Sequence, residues 1–236
     1  MIQISNLHKS FKKNHVLKGI DLTIDKGGIY AILGPNGSGK TTMIKSILGM
    51  IVPNEGQLKV EGEDIAKKFA YRQKLNYLPQ IANFPGNIKV SELIRMIIDL
   101  REQTADHDPL LDTFGLRPYL DQKLSTLSGG SAQKVNLVLT FMFDNPIYIL
   151  DEPSTGLDPN ALIQFKELLK RERDKGKTIL ITTHIMPFVE EVADEIIYLL
   201  EGRIGFKGSI KALLELYKVE DIEHAIAQMA KNMVDV

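Results

Sequence analysis

The sequence predicts an α/β protein: a mainly parallel sheet flanked by helices, with an antiparallel β subdomain at the start and an inserted α-helical subdomain. Three observations carry this reading. Short β-rich runs alternate with longer helical patterns, as they do when crossover helices join parallel strands. Four of the runs, Ile29–Leu33, Ile147–Leu150, Thr178–Thr182 and Ile196–Leu200, are largely apolar throughout, the mark of strands covered on both faces. The segment from about 84 to 143 holds helix-period patterns and no convincing strand.

The elements follow in order. Met1–Asn6 reads as a strand, lacking the basic start and apolar block of a secretion signal. Ile2–Leu7 and Ile20–Ile24 alternate apolar and polar residues, as half-buried antiparallel strands do. Lys26-Gly27-Gly28 is a turn into the first apolar strand, and Thr41–Leu48 is helical. The inserted segment offers helices at Val90–Arg101, Pro109–Phe114 and Ser131–Phe143. Asp108-Pro109 and Asp158-Pro159 each read as an N-cap followed by proline at the first helical position, and Gly176 ends the helix begun at Pro159. From Ser209 onward the pattern is again helical, with Leu213, Leu214, Leu216 and Tyr217 followed by Ile222, Ala225, Ile226 and Met229. The organisation is therefore one domain over 1–208, with the helical subdomain inserted at about 84–143, and a helical tail over 209–236.

Composition narrows the function. The 236 residues carry 29 basic and 30 acidic side chains, 44% hydrophobic and 25% charged residues, which is globular rather than disordered. That balance argues against an electrostatic nucleic-acid binder, which needs a basic excess. With no cysteine there is no disulfide, thiolate site or cysteine nucleophile. His8, His15, His107, His184 and His224 show no paired metal-ligand spacing, so no zinc site is expected, and all but His184 read as solvated. No stretch approaches the roughly 18–20 apolar residues of a membrane span; the longest, Val135–Phe143, is interrupted by Asn136 and Thr140. A soluble intracellular protein is expected.

The chemistry concentrates in three places. Gly34-Pro35-Asn36-Gly37-Ser38-Gly39-Lys40-Thr41 fits G-x-x-x-x-G-K-[ST], a phosphate-binding loop between an apolar strand and a helix. Successive N–H groups must curl around phosphate oxygens, and a Cβ at Gly34, Gly37 or Gly39 would obstruct the path. The following helix aims its N-terminus at the anion, Lys40 reaches the β- and γ-phosphates, and the Thr41 hydroxyl faces Mg²⁺. Ile147–Leu150 then delivers Asp151 and Glu152 at a strand's C-terminal end, where α/β ligand sites lie. Asp151 suits Mg²⁺, and Glu152 suits the polarising of an attacking water. Leu127-Ser128-Gly129-Gly130-Ser131 opens a helix with a second anion nest, about 90 residues beyond the first.

Together these residues resemble the ATP-binding subunit of ABC (ATP-binding cassette) transporters, over essentially the whole chain. The resemblance implies a P-loop NTPase (RecA-like) core. Residues 34–41 are similar to the Walker A motif, extended to Thr42 as a nucleotide contact, and 147–152 to the Walker B. Leu127–Ser131 is similar to the LSGGQ signature, with Ser131 in place of glutamine; its Ser128, Gly129 and Gly130 would contact nucleotide. Gln80, in Tyr77-Leu78-Pro79-Gln80, falls where the family has its Q-loop glutamine, a ligand of Mg²⁺ beside the reacting phosphate. Ser154–Asp158 resembles the D-loop, making Asp158 a nucleotide-site residue. His184 matches the H-loop histidine, and Phe11 the aromatic ring stacked on adenine. Lys134 stands where arginine is common, and Asn136–Thr140 departs from the usual small-residue and arginine pattern.

The resemblance implies ATP as ligand, with Mg²⁺ held by Thr41, Gln80 and Asp151, and hydrolysis by Glu152, His184 and Gln80. It implies a head-to-tail pair with a second nucleotide-binding subunit, and a separate integral-membrane permease that holds the protein to the inner, cytoplasmic face of the membrane. Gly156–Pro159 and the short C-terminal helix look like exporter-type subunits. Leu127–Gly208 looks similar to ATPases of copper-site maturation in nitrous oxide reductase. Two rival classes stand beside this reading: a non-transport ABC ATPase acting on ribosomes or nucleic acid, which usually carries two cassettes or a long coiled coil, and a GTPase or small-molecule kinase, which does not need Leu-Ser-Gly-Gly.

Overall fold

The computed structural model describes residues 2–66, 68–82 and 84–234. Met1 and the last two residues of the expected tail lie outside them. The chain opens with β1 (Ile2–Phe11) and β2 (Asn14–Ile24), an antiparallel pair. Both strands run well beyond the expected Ile2–Leu7 and Ile20–Ile24. Register shifts between Ile4 and Leu7, Leu7 and His8, and Lys9 and Ser10 break the two-residue alternation, so the distal half of the hairpin reads as polar loop. β3 (Gly28–Leu33) leads through the glycine-rich loop to α1 (Lys40–Ile47). β4 (Glu55–Val60), β5 (Glu63–Asp64) and β6 (Leu75–Leu78) follow.

The inserted segment holds α2 (Val90–Arg101), α3 (Asp108–Thr113) and α4 (Gly129–Phe141). α2 has the bounds its periodicity predicts. α4 begins two residues earlier than expected, because Ser128 rather than the glycines caps it. Asp108 is a correction: it is the first helical residue, with no side-chain cap bond, and its carboxylate faces Arg117 instead. The chain then alternates β7 (Ile147–Asp151), α5 (Pro159–Asp174), β8 (Thr178–Thr182), α6 (Met186–Val192) and β9 (Glu195–Leu200), before β10 (Arg203–Gly208), α7 (Ile210–Tyr217) and α8 (Ile222–Val234). Gly176, at φ 80°, closes the α5 end as expected.

Two sheets result. The antiparallel one has order β2-β1-β4-β5, and the larger has order β10-β9-β3-β8-β7-β6, parallel except for β10. Alternation along β3 divides the interior. Tyr30 and Ile32 enter the core between the two sheets, around Met43, Ile44 and Ile47 of α1. Ile29 joins the core under α2, α4 and α5, and Ala31 and Leu33 join the one beneath α6, α7 and α8. Strands buried on both faces are why these runs are so apolar. Of the strands that the sequence did not announce, β4, β5 and β10 lie at or near sheet edges with exposed polar residues, and β6 is a four-residue edge strand whose one polar residue, Asn76, is buried and donates to Phe143 O at 2.8 Å. Among the described residues no helix is long and apolar enough to cross a membrane.

Candidate nucleotide site

The loop from Gly34 to Gly39 follows β3, and its glycines have different reasons. A Cβ on Gly34 (φ 146°) would lie 2.0 Å from the Leu199 carbonyl oxygen, and one on Gly39 (φ 109°) 2.9 Å from Leu17 Cδ2. Gly37 (φ 81°) has nothing within 4 Å, so its need is the left-handed backbone and not room within the chain. Ser38 anchors the loop, its carbonyl accepting from Gly202 N at 3.0 Å while Gly202 O accepts from Lys18 N at 2.9 Å. Its hydroxyl is buried with no partner, a polar atom awaiting one.

Lys40 is the first residue of α1. Its ammonium curls back on the loop, donating to Gly34 O at 2.6 Å and Pro35 O at 3.0 Å. Burial pushes its pKa below the ordinary lysine value, and the nearby Glu152 and Asp151 carboxylates pull it partly back. Thr41 is exposed at the same helix end, beside Thr42, where first-turn N–H groups lack intrahelical acceptors. Pro35 and Asn36 are exposed on the loop's outer side.

Across the sheet, the register pairs Asp151 of β7 with Thr182 of β8. Asp151 is buried, its Oδ1 accepting from the Thr182 hydroxyl. Glu152 has a left-handed φ of 50°, rare for a non-glycine and held here by its N–H, which donates to Thr182 O at 3.0 Å and faces Thr182 Oγ1 at 3.2 Å. That turn lifts the side chain off the strand toward His184, whose Nδ1 is 3.1 Å from Oε1 and 3.0 Å from Oε2. Thr182 is the functional residue that the sequence reading passed over; its only signal was a hydroxyl at a strand end opposite a carboxylate. Gln80 is exposed two residues past β6, whose Leu78 pairs with Leu150 of β7, so the topology sets it beside the acidic strand end.

Ser128 caps α4, accepting from Ser131 N at 3.2 Å and donating to the Ser131 hydroxyl at 3.0 Å. Serine in place of the usual glutamine thus keeps a bond within the turn. Gly129 has open space around it, whereas a Cβ on Gly130 would lie 2.7 Å from the Gly156 carbonyl. Gln133 Nε2 donates to Pro153 O at 2.9 Å, and Lys134 pairs with Asp158 at 2.5 Å. Asp158 also caps α5 through Ala161 N at 2.9 Å, so both carboxylate oxygens serve the fold of this chain. The signature turn therefore rests on the loop after β7. Among the described residues no hydrogen bond or ion pair ties Ser128–Gly130 to the Gly34–Thr41 loop. Phe11 ends β1 at the hairpin tip, 45% exposed, with Lys9 Nζ 5.0 Å from its ring centroid. His107 is a further correction: the residue is half-buried and its Nδ1 is buried with no partner among the described residues, so the ring is only partly solvated.

A phosphate loop at the end of β3, facing two carboxylates at the end of β7, defines a nucleotide-binding α/β ATPase. Residues 17–155 match the family model described as "ABC transporter". A Nod factor export ATP-binding protein of Burkholderia lata is 35% identical over 91% of this chain and 72% of its own length. A probable branched-chain amino acid transport ATP-binding protein, LivF of Archaeoglobus fulgidus, is 34% identical over 94% of this chain and 98% of its own. Among solved structures, an ATP binding subunit of an ABC transporter superposes with a TM-score of 0.91 at 27% identity, covering 97% of this chain and 99% of that one. The chain belongs to the ABC transporter family, as an ATP-binding and ATP-hydrolysing subunit. These relatives give the narrower likeness to copper-maturation ATPases no support.

Proposed function

We propose that this chain powers a separate membrane permease by closing on ATP as a head-to-tail pair and reopening after hydrolysis. The observation that carries this is the placement of its two anion-binding turns: Ser128–Gly130 packs on the loop after β7, with no bond to the Gly34–Thr41 loop among the described residues. Two such turns in one chain are most simply used across a pair, each ATP lying between the phosphate loop of one copy and the signature turn of the other. Gly129 is open to such an approach, since a Cβ built on it would meet no other described residue within 4 Å.

Within that frame Lys40 and the amides of Ser38–Thr41 hold the β- and γ-phosphates, with Gly34–Thr42 wrapping them and the unpartnered Ser38 hydroxyl turned to their oxygens. Phe11 stacks on adenine. The donors near the terminal phosphate, the Thr41 hydroxyl, the Gln80 amide oxygen and the Asp151 carboxylate, are all hard oxygens, which fit Mg²⁺. The ion supplies charge neutralisation on the phosphates. Glu152 accepts a proton from water aligned on the γ-phosphorus, and His184 donates toward the γ-phosphate oxygens as negative charge builds there. Asp158 acts through position, tying the signature helix to the loop that follows Glu152.

The permease docks where α2, α4 and the segment after β6 meet. There a groove lined by Tyr77, Phe84, Ile97, Arg101, Leu139 and Thr140 opens next to Gln80. Residues 1–208 act as the ATPase domain and the following helices as an appended tail. The chain sits on the cytoplasmic side through that contact. Glu152→Gln tests the reading: it should keep ATP affinity, accumulate a dimer in light scattering and lose at least about a hundredfold in turnover. A strictly monomeric ATP-bound form at high concentration, with or without the permease, would overturn it.

A further inference from the structure

The β1–β2 hairpin brings together two histidines seven residues apart. Ser10 pairs with His15 and His8 with Lys18, so the two imidazoles are diagonal neighbours, within reach across an antiparallel ladder. His8 Nδ1 lies 3.2 Å from His15 Nε2, with ring centroids 5.3 Å apart and planes within 25°. The remaining nitrogen of His8, Nε2, is 3.0 Å from Asn6 Oδ1. An amide oxygen only accepts, so the contact is satisfied by the tautomer of His8 that carries its proton on Nε2, which leaves Nδ1 with a lone pair toward His15.

That orientation has a supporting layer. Asn6 is held at φ 47°, with its N–H on Asp21 Oδ1 at 2.8 Å. Gly19 clears the space: a Cβ there would come within 3.2 Å of His8 Nε2 and 3.3 Å of Asn6 Oδ1. An imidazole whose far N–H is fixed by an oxygen, leaving the near nitrogen bare, is the arrangement by which proteins orient metal-binding histidines.

We propose that His8 Nδ1 and His15 Nε2 bind a late first-row divalent cation, Zn²⁺ foremost, and that the cation staples the hairpin. Zn–N bonds of about 2.0–2.1 Å at the tetrahedral angle place two ligand nitrogens about 3.3–3.4 Å apart, against 3.2 Å between these two. Imidazole nitrogen suits zinc, copper and nickel, whereas the oxygen donors around Lys40 suit magnesium, so the two cations do not compete. Without metal, His15 Nε2–H donates to His8 Nδ1. On binding, His15 changes tautomer to Nδ1–H, no proton leaves the pair, and both facing lone pairs are available. Among the described residues no group of three His, Asp or Glu side chains converges to hold a metal, so water completes the shell. The staple restrains the hairpin whose tip pairs Phe11 with Asn14. Metal binding stands whether or not Phe11 stacks on adenine.

The test is calorimetric titration of ZnCl₂ into the nucleotide-free full chain in a non-coordinating buffer, paired with thermal melts. One saturable equivalent and a raised Tm are expected for the native chain. His8→Ala and His15→Ala should each weaken binding by at least about tenfold and remove the Tm rise. His224→Ala, which deletes an imidazole–carboxylate contact elsewhere (Nδ1 to Asp221 Oδ2, 2.7 Å), should change neither. His15 is exposed, so its variant remains informative should His8→Ala fail to fold. Undiminished affinity in His15→Ala, loss in His224→Ala, or no saturable equivalent in the native chain would each overturn the assignment.

Discussion

Replacing the two signature glycines one at a time separates stability from catalysis. Gly129 is the first residue of α4, its φ is not in the left-handed region, and a methyl group there would meet nothing within 4 Å. Gly129→Ala should therefore leave the isolated subunit as stable or more so, by up to about 1 kcal/mol, since alanine narrows the unfolded ensemble and favours helix. For a chain of this size that is a Tm rise of about 2 °C. Yet in the proposed head-to-tail pair the added methyl would stand where the partner's γ-phosphate approaches. Losing one hydrogen bond to a charged group costs about 1.5–3 kcal/mol, a fall in ATP turnover of roughly 10- to 150-fold. Gly130→Ala behaves differently. Its Cβ would lie 2.7 Å from the Gly156 carbonyl, a backbone atom, so the loop after β7 must move. A cost of about 1–3 kcal/mol follows, lowering Tm by roughly 2–6 °C in differential scanning calorimetry. Should Gly129→Ala turn over ATP within about twofold of the native rate, the use of this turn across a dimer is wrong.

Further consequences can be measured directly. Lys40→Ala removes the ammonium that now bonds Gly34 O and Pro35 O, and calorimetric ATP affinity should fall by at least about tenfold. Thr182→Val strips the hydroxyl shared by Asp151 and the Glu152 N–H; turnover should drop more than ATP affinity, because the carboxylates are misplaced rather than lost. Phe165→Ala opens a cavity in the core between α5 and the sheet, for about 3–5 kcal/mol in urea unfolding. Acid should loosen the α5 start. Lys134 first, and then the Ala161 N–H, hold the Asp158 carboxyl below the usual carboxylate range. Its contribution is thus complete above the ordinary value near 3.8 and is lost as pH falls through the lower folded-state value. In melts across that range the native chain should lose more Tm than Asp158→Asn, which keeps a cap but no charge.

Much of this was legible because the parallel strands are buried on both faces. Such strands must be apolar throughout, and β3, β7, β8 and β9 were each visible to within a residue at either end. The phosphate loop was legible for a related reason: its backbone leaves only glycine at Gly34, Gly37 and Gly39. What escaped has no such local demand. β4 and β6 draw their stability from neighbours distant in sequence, and β6 is only four residues long. The distal hairpin is disguised by its bulges. Thr182 matters only through the register that sets it opposite Asp151, and His8 meets His15 only because the ladder is diagonal there. Pairwise geometry between strands is the part of function that one-dimensional spacing leaves out.

In the proposed pair, that geometry would let the loop after β7 couple hydrolysis to assembly. Glu152, at its start, touches His184. Pro153 O accepts from Gln133, Gly156 O packs against Gly130, and Asp158 pairs with Lys134, so three successive points of the loop contact the first turns of α4. A shift of Glu152 toward a reacting phosphate must therefore move, or be resisted by, the turn proposed to receive the partner's nucleotide. Cutting the last tie tests this. Lys134→Met removes a pair whose lysine side chain is only 20% exposed, while leaving every proposed phosphate contact in place. If the loop transmits, ATP affinity should stay near native while turnover and ATP-dependent dimer formation fall together. An equal fall in affinity would mean that Lys134 supports the nucleotide site itself and that the coupling argument is mistaken.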